Sequence, residues 1–159
     1  MSDEILATVT PSPIRRLFGV TVMGLLATLL IYISLVTAPS LGWRLVLLAF
    51  GIAAVVGTMR LWQATQSRVE LTASELRDSA GTVLAKMDQI VAIDRGMFAF
   101  KPSNGFVLKL ASRHGRGWAP GLWWRTARRV GVGGVTSAGE AKFMAELLAA
   151  RIAARDREE

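Results

Sequence analysis

The sequence predicts an α+β protein, a two-helix transmembrane hairpin followed by an antiparallel β roll or barrel capped by a C-terminal helix. Three observations carry this reading. Two long apolar runs precede Trp62, period-two alternation recurs between Val69 and Val132, and a helical apolar stripe closes the chain. The composition agrees: 159 residues with 52% hydrophobic and only 19% charged are too apolar for an ordinary soluble domain. They suffice for one small domain and an anchor.

The first apolar run, Leu17 to Ala38, holds 22 residues without a charge. At 1.5 Å per residue it crosses the ~30 Å hydrocarbon layer with some tilt. The second, Leu45 to Met59, is only 15 residues between Arg44 and Arg60. It reaches span length from Leu41 to Trp62 if those arginines snorkel toward opposite headgroup layers. A buried soluble helix competes for the second run, but the short Pro39-Ser40-Leu41-Gly42 turn favours a hairpin. A cleaved signal peptide is rejected because the first run is too long and Asp3 and Glu4 lie upstream. Arg15, Arg16, Arg60 and Arg68 flank the outer ends, and only Arg44 lies in the turn, so both termini are expected to be cytoplasmic. Trp43 and Trp62 suit interfacial anchoring, and Gly24, Gly51 and Gly57 suit close helix approach. No acidic residue or histidine lies in the spans, which argues against a transporter or channel. The expected organisation is a cytoplasmic segment at 1–16, the hairpin at 17–62 and a cytoplasmic domain at 66–159.

In that domain Val69, Leu71 and Ala73 alternate with Glu70 and Thr72, and a turn at 72–74 leads to a short strand through Leu76. A turn at 78–81 precedes a third strand at Thr82 to Ala85, then a connection at Met87 to Ile90 and an extended stretch at Val91 to Asp94. Met97–Lys101 and Phe106–Leu110 flank Pro102-Ser103-Asn104-Gly105, a strong hairpin signal. The Gly/Pro-rich stretch from Ser112 to Gly121 reads as a loop, and Trp123 to Val132 returns to strand character. Ser137-Ala138-Gly139-Glu140 predicts a capping box. Beyond it Met144, Leu147, Leu148 and Ile152, with Ala141 and Ala145, form a helical stripe.

The opening VELTASELRD, the MDQIVAIDRG segment and the closing VTSAGEAKFMAELLAARI resemble bacterial pleckstrin-homology-like domain proteins with an N-terminal two-helix membrane hairpin. The resemblance covers nearly the whole chain and rests on pattern rather than on a catalytic motif. It implies a seven-strand sheet capped by a helix, no enzymatic activity, and a role in binding or assembly at the bacterial cytoplasmic (inner) membrane.

Charge segregation is the most informative feature. From Arg95 to Gly139 there are eight basic residues and no Asp or Glu, while the rest of the domain carries seven basic and ten acidic residues. Lys101, Lys109, Arg113, Arg116, Arg125, Arg128 and Arg129 fall there, with Trp118, Trp123 and Trp124 among them. Cations with interfacial aromatics on a tethered domain suit an anionic leaflet, each cation contributing on the order of 1 kcal/mol. A solvated sheet face with core tryptophans is the competing reading, and nucleic acid is disfavoured because no reading motif is present.

Catalytic chemistry finds little support. The chain has no cysteine and one histidine, which excludes disulfides, thiolate metal sites, Fe–S clusters and multi-histidine centres. The Gly131–Thr136 stretch lacks the lysine of a P-loop and the third glycine of a dinucleotide fingerprint, and reads as a flexible turn. His114 lies in a polar loop without an orienting carboxylate, and Asp88 and Asp94 read as turn caps. No cofactor or metal is expected. The sequence therefore points to a non-enzymatic, membrane-anchored module that contacts anionic phospholipid or a membrane protein partner. The alternative is an accessory subunit stabilising a larger inner-membrane complex, respiratory or photosynthetic; a homo-oligomer stays open.

Overall fold

The computed structural model describes residues 4–37, 40–94 and 102–158. Helices α1 (Pro13–Val36) and α2 (Leu41–Ala64) form the hairpin, each 24 residues long. Pro13 opens α1, where a missing N–H costs nothing, and Ser40 caps α2 by accepting from the Trp43 N–H at 3.5 Å. Both helices are long and apolar enough to cross a membrane, and only 11% of the most apolar stretch of each is buried. The core helix of a soluble protein would be mostly covered. Of the three expected glycine contacts, Gly51 is the close one: a methyl group there would lie 2.6 Å from Ile31 Cγ1. Gly57 meets only the tip of Met23, and Gly24 faces open space. Buried Ser34 donates to the Arg44 carbonyl at 2.8 Å, closing the hairpin at its turn.

Two antiparallel sheets follow. The first has the order β1 (Ile5–Val9), β2 (Val69–Thr72), β3 (Glu75–Asp78) and β4 (Val83–Lys86). The second has the order β5 (Ile90–Asp94), β6 (Phe106–Leu110), β9 (Arg129–Val132), β8 (Trp123–Thr126) and β7 (Gly117–Ala119). Helix α3 (Ala138–Glu158) packs chiefly on β1 and β5, so it bridges both sheets. The fold is thus α+β, with two apolar helices, antiparallel sheets and a C-terminal helix. Leu71, Leu76, Leu84, Ile90, Leu108, Leu122, Met144 and Leu148 are fully buried between these layers.

The largest departure from expectation is at the N-terminus. The sequence sets residues 1–16 outside the domain, yet Ile5–Val9 pairs with β2, with Val9 opposite Val69 and fully buried. The strand continues into Thr10–Ser12, which runs against 135–137: Ser12 N–H donates to the Val135 carbonyl at 2.7 Å, and Ser137 N–H to the Thr10 carbonyl at 3.0 Å. This displaces the capping box. Glu140 Oε2 accepts from the Thr10 N–H at 2.6 Å and from its hydroxyl at 2.7 Å instead of reaching back to Ser137.

Met97–Lys101, the first strand of the expected hairpin around Asn104-Gly105, lies outside the described residues; β6 pairs antiparallel with β5 on one side and β9 on the other. The stretch from Ser112 to Gly121 contains a short strand, β7, and Trp123–Val132 is two strands rather than one. The Gly131–Thr136 stretch is closely packed. The Gly133 N–H bonds to the Leu122 carbonyl at 2.9 Å and the Gly134 N–H to Ser103 at 2.8 Å. Those donors are therefore unavailable to a phosphate.

Glu70 and Thr72 alternate with the apolar residues of β2, and both are nonetheless buried: Arg68 and Arg77 lie against Glu70, and the Thr72 hydroxyl bonds the Glu75 backbone. The hydrogen bond from Arg68 Nε at 2.8 Å, aided by Arg77 Nε at 3.3 Å, holds the Glu70 pKa below the ordinary carboxylate range against the opposing effect of burial. A depressed folded-state pKa stabilises the fold above the unfolded pKa and is lost as pH falls through the folded value. The melting temperature of the wild type should therefore exceed that of Glu70→Gln at neutral pH, and the gap should close on acidification. A gap independent of pH contradicts this.

Candidate basic and aromatic surface site

The basic segment folds mostly into the second sheet, whose alternation divides its residues between two faces. Trp123 faces inward. It is 6% exposed, and its Nε1 donates to Asp78 Oδ2 at 2.7 Å, tying β8 to β3 of the other sheet. Arg125, two residues on, is only half-buried. Its guanidinium donates to the Val83 carbonyl at 2.5 Å and to the Gly115 carbonyl at 2.7 Å, a second tie between sheets. Both residues were candidates for contact with a partner; Trp123 is a core residue, and Arg125 is largely engaged in holding the fold.

Trp124 faces outward, directly opposite Trp118 on β7 and Gly131 on β9. A methyl group at position 131 would come within 2.6 Å of several Trp124 ring atoms, so glycine there lets the indole lie flat across the sheet. Trp118 is 69% exposed. Beside this aromatic row runs a polar one, in which Arg129 on β9 neighbours Thr126 on β8 and Lys109 on β6. Arg116, Gly117, Trp118, Trp124, Arg125, Thr126 and Arg129 line an open cleft of about 690 Å³. Among the described residues no carboxylate lines it.

The remaining candidates scatter. Lys109 is ion-paired with Asp94 at 3.6 Å. Arg113 is exposed in the loop before β7 and Arg128 in the turn between β8 and β9, and Lys101 lies outside the described residues. Among the described residues, the side chains of Arg113, Arg116, Arg128 and Arg129 form no hydrogen bond or ion pair. Thr126 and Gly131 were missed by sequence reasoning. The Trp124 ring packs against position 131 closely enough to need a glycine there, a signal readable only once the register is known.

The site is coupled to the hairpin. Gly121, in the turn between β7 and β8, adopts a φ of 77°, and a methyl there would lie 2.8 Å from Leu61 Cδ1 of α2 and 3.2 Å from Val135 Cγ2. A glycine is needed for both the conformation and the close approach. Beside this seat, Arg16 stacks its guanidinium 4.0 Å from the Trp62 ring centroid. Among the described residues the His114 ring meets only the Ser112 carbonyl, at 3.3 Å, and no group of three His, Cys, Asp or Glu gathers as a metal site would need. Comparison with known proteins finds no matching family model, no matching curated relative and no matching solved structure.

Proposed function

We propose that this chain is a non-enzymatic, membrane-anchored binding and assembly module with a domain of pleckstrin-homology-like build. In this reading α1 and α2 cross the bacterial cytoplasmic membrane, both termini are cytoplasmic, and the Trp118–Trp124 face meets the anionic leaflet. One observation carries it: an aromatic cleft with Arg116 and Arg129, lined by no acid among the described residues, lies beside a turn seated against the end of an apolar hairpin. The pairing of β1 with β2 supports the orientation, since it brings the two outer ends of the hairpin together. Those ends carry Arg15, Arg16, Arg60 and Arg68 against Arg44 alone at the turn.

The second reading is an accessory subunit docked on a larger membrane complex. The exposure of Trp118 over a cleft wide enough for a partner side chain favours it, whereas the burial of Trp123 removes one of the two aromatics it would use. The full chain in nanodiscs separates the two. Quenching of Trp118 by brominated lipid, read as the difference between wild type and Trp118→Phe, should be stronger in anionic than in zwitterionic bilayers and weaken as salt rises past physiological strength. Arg116→Gln with Arg129→Gln should reduce it without lowering the melting temperature. Arg125 is not substituted, because it holds Val83 and Gly115. Equal quenching in both bilayers overturns the lipid reading in favour of protein docking.

A further inference from the structure

A second cleft, of about 440 Å³, opens between the first turns of α1 and the two turns at 103–104 and 134–135. Its two walls differ in chemistry. On α1, Ile14 is 82% exposed and Phe18 70%, and they share a face with exposed Leu25 and Leu29. The apolar wall is therefore continuous with the outer surface of the helix. The opposite wall carries Asn104, whose backbone is held at a φ of 55° with its carbonyl accepting from the Thr136 hydroxyl at 3.2 Å. The Asn104 side-chain amide has no partner among the described residues. Arg15 closes the mouth: one guanidinium nitrogen donates to the Thr136 carbonyl at 3.4 Å, and its other donors are uncommitted. Among the described residues no acid lines the cleft, and the first turn of α1 has none.

An anion-binding mouth joined to an apolar wall that runs along a span matches an amphipathic anion. The volume suits a headgroup and glycerol but not whole acyl chains. We infer that the cleft holds one anionic phospholipid, its phosphate bonded by Arg15 and Asn104 and an acyl chain following Ile14 and Phe18. Guanidinium donors match phosphate oxygens in pairs, which gives such a site a residence time that diffuse surface attraction lacks. The inference rests on the reading of α1 as a membrane span, but not on the tryptophan face.

Native mass spectrometry of the full chain, released from micelles containing phosphatidylglycerol, tests it. The wild type should retain one lipid. Arg15→Gln and Asn104→Gly should each lower retention by about tenfold or more, as expected for loss of a charge-assisted bond. Glycine suits the backbone at 104, so that variant removes the amide without strain, and a melting curve in the same detergent checks the fold of both. Arg157→Gln, an exposed cation in the last turn of α3 outside both clefts, should retain lipid like the wild type. Undiminished retention in Arg15→Gln and Asn104→Gly overturns the site even where the nanodisc quenching stands. Equal binding of glycerol phosphate alone makes the ligand a free phosphate and overturns the lipid assignment. Site-specific retention with salt-insensitive, lipid-independent quenching leaves the cleft standing and refutes the tryptophan face.

Discussion

Val9→Asp should abolish cooperative unfolding of the domain while leaving the hairpin helical. Val9 is fully buried at the end of β1, opposite Val69, where α3 crosses the strand. An unpaired carboxylate there costs several kcal/mol in desolvation, a large share of the ~5–15 kcal/mol that holds a domain together. Thermal melts of the full chain in detergent, read by near-ultraviolet circular dichroism, should show the loss. An unchanged transition would remove β1 from the core. The same seam ranks two smaller variants. Glu140→Ala gives up two hydrogen bonds to Thr10 and should cost about 1.5–3 kcal/mol. Ser137 contributes its backbone N–H to the seam rather than its hydroxyl, so Ser137→Ala should cost much less than a lost cap. A chain starting at Gln66 lacks β1 and should not fold.

Leu148→Ala should cost about 2–5 kcal/mol, as for other buried leucines. Leu148 is fully buried on the face of α3 that also carries Met144, Ala145 and Ile152. That face spans the gap between β1 and β5, so a cavity there loosens both sheets at once. The same helix is pinned at its far end, where Arg151 donates to the Thr72 and Ala73 carbonyls at 3.1 Å and Arg155 to the Ile90 carbonyl at 3.1 Å. Relaxation into the cavity is thereby limited. A melting temperature lowered by ~4–8 °C per kcal/mol is expected for a domain of this size. An unchanged melting temperature with loss of a co-purifying protein would instead make α3 an interface element.

What the residues reveal by themselves is mainly what is local. The two spans are legible because long charge-free runs need no partner to be recognised, and the α3 stripe because 3.6-residue periodicity is self-contained. β1 is not legible: five residues of ILATV before a proline gain meaning only from Val69–Thr72, some sixty positions away. The Asn104-Gly105 signal marks the turn before β6, whose pairing with β5 is between neighbours in sequence, but its other partner, β9, lies some twenty residues on and leaves no local trace. At the candidate site the charge segregation was visible, but the division of labour was not. Trp123 and Trp124 are adjacent, so in a strand they must face opposite ways, and alternation alone cannot say which one is outside. Register with Gly131 decides that Trp124 is.

The most direct measurement uses the absence of cysteine from the chain. Ser40→Cys at the hairpin turn and Ser112→Cys in the loop before β7 both place a lone thiol at an exposed position. With a membrane-impermeant maleimide, Ser40→Cys should label in intact cells and Ser112→Cys only after the membrane is opened. Labelling of Ser112→Cys in intact cells would put the domain outside and contradict contact between its cationic face and the inner leaflet.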